Sequence, residues 1–218
     1  MTPAEIIKEV LADLVRPDLG DRARVKFAQS VRAVHAIDQF RQDLTLHMIL
    51  DPDPIDKVVR FSVSNLIPRF RKISSIRLYT DYAHVNGMTF PEREIILPDE
   101  GFVNGVEKLK VRDYFGFRYP FTYSIVGDVG GISGVSNNVK CIEIVALTYP
   151  EVKVDPVDGE LSTDSWIVRD CPELVQAQMK WEIAKLVQDR ETKRSAEESL
   201  MFERDNFLRQ HLNDTIEV

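Results

Sequence analysis

The spacing of apolar residues changes twice along this chain of 218 residues. Near both ends they recur every three or four positions, whereas the stretch from about residue 51 to 165 holds short alternating runs separated by proline, glycine and asparagine. Helical spacing predicts amphipathic helices, and alternation predicts half-buried strands. The sequence therefore predicts an α+β protein in which a β-rich part is inserted between helices.

Residues 1–50 are predicted to form a helical hairpin. Thr2, Pro3 and Glu5 are typical of a helix start, because Thr2 and Glu5 can each cap a free backbone amide. A second helical pattern runs from about residue 21 to 48, and the DPDP run at 51–54 ends it. The apolar stripe of this second helix is Phe27, Val31, Val34, Ile37, Leu44 and Met48.

Residues 51–169 are predicted to form a small antiparallel sheet. Their runs are rich in β-branched and aromatic residues, which favour strands. The runs are Val59, Phe61 and Val63; Ile95, Ile96 and Leu97; Tyr119, Phe121, Tyr123 and Ile125; and residues 141–149.

Residues 170–190 are predicted to form a core helix that packs on residues 1–50. Asp170 is placed as its cap, with Glu173 three residues later. Its apolar stripe is Leu174, Val175, Met179, Ile183, Leu186 and Val187, with Ala177, Trp181 and Ala184 beside it. The first turns of this helix should therefore be buried.

Residues 191–218 are predicted to be an extended carboxyl-terminal arm. Residues 189–206 are rich in charge and poor in apolar positions, which is typical of a solvated helix or of one held by a partner instead of by its own core. We expect its apolar residues to dock on a neighbouring subunit or partner, although a frayed end is the alternative. These anchors are Met201, Phe202, Phe207, Leu208 and Leu212.

The charge balance disfavours general phosphate binding. Asp and Glu total 35 against 28 Lys and Arg, so the net charge is −7. One basic stretch at 60–77 nevertheless suggests an alternative, a nucleic-acid-binding module, although exposed strand faces explain the same residues. Its cations are Arg60, Arg69, Arg71, Lys72 and Arg77.

Residues 127–134 form the stretch most like a phosphate-binding loop, but the spacing matches neither phosphate-loop motif and a β-segment follows. We expect a hairpin or loop tip that can serve as a contact surface. Its glycines are Gly127, Gly130, Gly131 and Gly134.

The sequence predicts no catalytic residue, no metal site and no cofactor. The four histidines are scattered, and Cys171 has no histidine near it in sequence. The carboxylate pair Glu92 and Glu94 is a weak hint of a cell-wall hydrolase.

The compartment follows from cysteine use and hydropathy. Two cysteines are too few for a disulfide scaffold, and no apolar run reaches the ~20 residues that cross a bilayer. We expect a protein made in a reducing cytoplasm, without membrane contact.

The order of parts, with three local stretches, resembles the head-to-tail adaptor of tailed phages, especially the tail-tubular-A type of short-tailed phages. These stretches are residues 123–127 (YSIVG), 142–150 (IEIVALTYP) and 165–174 (SWIVRDCPEL). The resemblance covers nearly the whole chain in architecture, and its motifs are short.

The resemblance implies that a helix beginning at the Pro-Glu-Leu run packs on the amino-terminal helices, while a carboxyl-terminal extension reaches the portal ring. It further implies a dodecameric ring of identical subunits in the virion neck, bound to the portal protein and to a tail nozzle protein. DNA would pass through its lumen without sequence-specific binding, and a mildly acidic lining suits that passage.

Overall fold

The computed structural model describes residues 1–79, 93–96, 107–108, 110–112, 122–135, 137, 139–155, 159–186 and 189–211. The described chain contains both helices and sheets. It divides into two compact units: a helical unit of residues 1–43 and 149–217, and a β unit of residues 44–148. Both ends of the chain therefore contribute to the helical unit.

The described residues of the helical unit form five α-helices and two short strands. Its two amino-terminal helices are α1 (Pro3–Asp13) and α2 (Gly20–His35). A two-stranded ribbon of β10 (Val152–Val154) and β11 (Leu161–Thr163) follows the return of the chain. The remaining helices are α4 (Trp166–Asp170), α5 (Pro172–Ala184) and α6 (Arg190–Gln210).

One apolar core joins these helices, because α5 packs against α1, α2 and α6. The predicted start of α1 is confirmed: Glu5 N–H donates to Thr2 Oγ1, and Thr2 N–H donates to the Glu5 carboxylate. The buried core side chains are Ile6, Val10, Leu19, Ala23, Phe27, Val31, Val34, Phe40, Trp166, Ile167, Val168, Leu174, Val175, Met179, Ile183 and Phe207. The predicted stripes are thus confirmed for Phe27, Val31 and Val34 of α2 and for the first four positions of α5, whereas Leu186 is 44% exposed.

The prediction that the second helix continues to Met48 is wrong. The helix α2 ends at His35, and residues 44–50 form the strand β1 (Leu44–Leu50) of the β unit. Nearly every residue of this run is uncharged, so its pattern suits a helix or a strand equally. Antiparallel pairing along its full length with β9 (Cys141–Thr148) decides for a strand. The amino-terminal helical part is therefore shorter than the predicted 1–50.

The described residues of the β unit form two sheets. Its further strands are β2 (Val58–Ser62), β3 (Phe70–Tyr79), β4 (Arg93–Ile96), β5 (Glu107–Lys108), β6 (Lys110–Arg112), β7 (Thr122–Val126) and β8 (Val129–Ser133), with a short helix α3 (Val63–Leu66) after β2. One sheet has the order β1-β9-β3-β4-β6, and the other has the order β2-β8-β7-β5. All of these described strand pairs are antiparallel, as the alternating pattern predicts.

Side chains from both sheets meet in a second apolar core. Ile76 and Ile144 from the first sheet and Ile132 from the second are fully buried. Alternation along each strand places these residues on one face, which explains why the period-2 pattern was visible in sequence.

The carboxyl-terminal part differs from prediction in two ways. Asp170 is not a cap: it ends α4, whose cap is Ser165, while Cys171 occupies the position before α5 without a side-chain capping bond. The predicted core helix of 170–190 ends at Ala184, and a new helix, α6, begins after Asp189. Asp189 caps α6 by accepting from the amides of Glu191 and Thr192.

The prediction that the arm of residues 191–218 is not held by its own subunit is wrong for residues 191–210. They form α6, which packs along α5, with Ala196 and Phe207 buried. The spacing of Ala196, Leu200 and Phe207 puts these side chains on one helix face, and this face contacts the core of the same chain.

In the parts of the chain described here, no helix is both long and apolar enough to cross a bilayer. Several predicted residues lie outside the described residues, namely Glu92, Leu97, Tyr119, Phe121, Val187 and Leu212.

Candidate functional site

A buried polar network lies at the point where the chain leaves the helical unit. His35 Nδ1 is 2.8 Å from Asp43 Oδ1, and His35 Nε2 is 2.7 Å from Ser165 Oγ. The Trp166 indole also donates to Asp43 Oδ1, at 2.9 Å. Because a carboxylate only accepts, His35 Nδ1 carries a proton. The network thus joins the end of α2 to the start of α4.

The distances in this network are those of a Ser-His-Asp catalytic triad. Burial argues against that role, since His35 is 1% exposed and Ser165 is 4% exposed. Ser165 Oγ also accepts from the Val168 amide as the cap of α4. These contacts explain the three residues structurally: they satisfy buried polar groups and hold the helix start in place.

A second polar pair was missed in sequence. Cys171 Sγ lies 3.4 Å from His211 Nε2, although forty positions separate them in the chain. Both residues are partly exposed, and Cys171 lines a cavity of about 230 Å³ between the start of α5 and the end of α6. Only the docking of α6 on α5 brings the histidine to the thiol, so local spacing gave no signal for it.

The chemistry of this pair is limited by its surroundings. Burial raises the pKa of the Cys171 thiol, and the carboxylates of Asp170 and Glu173 raise it further. A raised pKa leaves less thiolate, which is the nucleophilic form. Among the described residues, no group of three or more potential ligands could hold a metal ion.

The predicted anchor residues of the carboxyl-terminal part separate onto two sides of α6. Met201 and Phe202 are each 63% exposed, and we call them the α6 patch. Leu208 is half-buried, and Leu212 lies outside the described residues. Phe207 is 2% exposed, so its assignment as an exposed anchor is wrong.

Aromatic contacts explain the burial of Phe207. Its ring stacks on Trp166 at a centroid distance of 5.9 Å and meets Phe40 edge-on at 5.3 Å. His211 completes the cluster, 4.8 Å from the Phe207 ring. Such pairs stabilise beyond their area burial, so this cluster fixes the carboxyl-terminal end of α6 on its own subunit.

The predicted glycine loop is a tight hairpin between β7 and β8. Gly127 has a φ of +61° and forms the turn with Asp128, whereas Gly130 and Gly131 lie within β8. A Cβ at Gly130 would come within 2.4 Å of the Phe61 ring, so glycine leaves room for the neighbouring strand. Gly134 follows the strand with a φ of +89°.

The hairpin turn is held firmly. Ser62 Oγ and the Ser64 amide both donate to the Asp128 carboxylate at 2.7 Å, and these bonds lower its pKa. Val126 and Val129 face each other across the turn and are 73% and 57% exposed. We call residues 126–129 the hairpin tip.

The basic stretch does not present a uniform row of cations. Arg60 is exposed on β2 of the four-stranded sheet, whereas Lys72 and Arg77 lie on β3 of the five-stranded sheet. Arg77 forms an ion pair with Glu143 at 3.0 Å. Arg69 is exposed before β3, and Arg71 is half-buried.

No family model matches this chain, and no curated protein is significantly similar to it in sequence. The geometry of the chain itself therefore has to support any function.

Proposed function

We propose that this chain is a ring-forming head-to-tail adaptor of a tailed phage, which joins the portal to the tail in the virion neck. Its partners would be further copies of itself, the portal protein and a nozzle protein. DNA would pass through the ring without sequence-specific contacts.

The layout of the chain is the observation that carries this proposal. Helices from both ends build one unit, and a β unit is inserted between them. Within the helical unit, α5 begins at Pro172 in the stretch that carries the resemblance, and it packs on α1 and α2. This is the arrangement that the resemblance to adaptors implies.

The exposed apolar residues give further support. Met201 and Phe202 are adjacent on α6 and point away from the core, and the hairpin tip exposes two valines. Exposed apolar groups that cluster commonly mark protein contacts. An assembly protein needs such contacts. In this proposal the α6 patch, instead of the whole carboxyl-terminal arm, docks on a neighbouring subunit or partner.

The charge of the chain suits passage of DNA. A net charge of −7 gives a ring of many copies a strongly acidic total, which disfavours tight binding of phosphates. The pairing of Arg77 with Glu143 reduces the basic character of the 60–77 stretch.

The test is assembly with portal rings of short-tailed phages, observed by electron microscopy and light scattering. Truncation after Asp189 is a poor test, because it would remove the buried Phe207. A double variant, Met201→Asp and Phe202→Asp, changes only exposed positions. The matched control is Val25→Asp, which changes a valine 60% exposed on α2.

We expect wild type and Val25→Asp to add a ring to the portal and the double variant to bind at least ten times more weakly. Equal binding by all three proteins would remove the α6 patch from the mechanism. Failure of the wild type to bind any portal, combined with duplex-DNA binding that weakens steeply with salt, would overturn the adaptor and favour the nucleic-acid module.

A further inference from the structure

A groove on the helical unit faces solvent. Its walls are α1, the start of α2 and the turn that leads into β11, and its volume is about 560 Å³. Ile7, Leu11 and Leu161 supply partly buried apolar surface. Two glycines, Gly20 and Gly159, also line it, so backbone is accessible there.

The groove carries charges of both signs. Lys8 and Arg24 line it together with Asp21 and Glu160. Gly159, with a φ of +72°, leaves space for the Arg24 guanidinium, which would lie 3.1 Å from a Cβ at this position. A ligand carboxylate is therefore favoured beside Lys8 and Arg24 and disfavoured beside Asp21 and Glu160, which would orient a charged ligand in the groove.

The hairpin tip has the complementary chemistry. Its two exposed valines flank the Asp128 carboxylate, and Gly127 adds no side chain that would widen the turn. The bonds from Ser62 and Ser64 to Asp128 hold the turn in one conformation, so little ordering is required on binding.

We propose that the hairpin tip of one subunit docks in this groove of a second copy, with Val126 and Val129 against Ile7, Leu11 and Leu161 and with Asp128 beside Lys8 and Arg24. This inference rests on the proposed function, because it names the contact by which the ring closes. Two different surfaces of the same chain form a heterologous contact, and a heterologous contact that closes generates a ring.

The contact is small compared with the ~800 Å² per partner that stable interfaces bury. It therefore serves as the well-packed centre of a larger interface. Such centres provide most of the binding energy of an interface.

The test uses full-length protein and two blocked variants. Val126→Asp places a charge on the tip. Gly20→Trp places an indole in the groove, at a position where an added Cβ meets nothing within 4 Å. The controls are Leu46→Asp, at a leucine 55% exposed on β1, and Val25→Trp on the same helix as Gly20. Circular dichroism and thermal melts check that all variants are folded.

Sedimentation velocity over a concentration series gives the result. We expect wild type and controls to self-associate. Each blocked variant alone should need at least ten times higher protein concentration to associate. A mixture of the two blocked variants should form a one-to-one dimer. The dimer is expected because the mixture contains one intact tip and one intact groove, which make one contact but cannot close a ring.

Two outcomes would overturn the docking: a mixture that stays monomeric, or blocked variants that associate like wild type. A wild type that remains monomeric at every concentration would overturn it as well. Portal binding is measured separately. If both blocked variants add a ring to the portal as wild type does, this contact is disproved and the proposed function stands.

Discussion

Phe207 and Phe202 lie on one helix but in opposite environments, so a pair of identical substitutions measures what holds α6. Phe207 is 2% exposed and contacts Trp166, Phe40 and His211, whereas Phe202 is 63% exposed. Truncating a buried phenylalanine to alanine costs about 3–5 kcal/mol through lost burial and a residual cavity. An exposed substitution changes stability by about 0.5 kcal/mol or less.

We therefore expect Phe207→Ala to lower the free energy of unfolding by about 3–5 kcal/mol, a large part of the ~5–15 kcal/mol that natural domains possess. Phe202→Ala should leave it within about 0.5 kcal/mol of wild type. Both substitutions replace phenylalanine by alanine, so they raise helix propensity equally. The difference between their effects on the free energy of unfolding therefore measures the packing of Phe207.

Urea unfolding followed by tryptophan fluorescence is the assay, because Trp166 stacks on Phe207. The measurement is repeated at several protein concentrations to separate packing within a subunit from association. Equal and small effects of the two substitutions would show that α6 is not held by its own core. That result would support the prediction from sequence that this arm is not held by its own subunit.

Three further outcomes follow from the polar contacts. Ser165→Ala should cost about 1–3 kcal/mol in urea unfolding, since it removes both the cap of α4 and the buried hydrogen bond between Ser165 Oγ and His35 Nε2; a change below about 0.5 kcal/mol would contradict the network. The pKa of Asp189 is lowered, chiefly by Thr192, so its stabilisation is present above about pH 4 and is lost as the pH falls through the lower folded pKa. Asp189→Asn should therefore unfold with a weaker acid dependence than wild type, and identical pH profiles would refute this. Iodoacetamide should alkylate Cys171 more slowly than an unfolded thiol at neutral pH, and Asp170→Asn should speed the reaction, because that carboxylate raises the pKa of the thiol.

Local signals in the sequence were sufficient for several elements. The cap formed by Thr2 and Glu5 acts over three residues, so it was readable without any tertiary information. The stripes of α2 and α5 were equally visible, because a helix places every third or fourth residue on one face. The hairpin between β7 and β8 followed from Gly127 and from the alternating residues before it.

The candidate surfaces were only partly predictable. Met201, Phe202 and Phe207 look alike as apolar residues in a charged stretch. Phe207 lies five positions after Phe202, which puts the two rings on different faces of α6. The spacing of Ala196, Leu200 and Phe207 carries the signal for a buried face of α6. The groove could not be predicted, since it is formed by α1, α2 and a turn more than a hundred residues later.

The sequence by itself determined where α1 begins, which sides of α2 and α5 are apolar, and that a β-rich part is inserted between helices, because these features depend on neighbours within a few residues. Tertiary structure decided that residues 44–50 form a strand, that His211 meets Cys171, and that Phe207 is buried while Phe202 is exposed. The physical reason is the same in each case. An apolar pattern specifies a face that must be covered, but only long-range packing determines which part of the chain, or of another subunit, covers it.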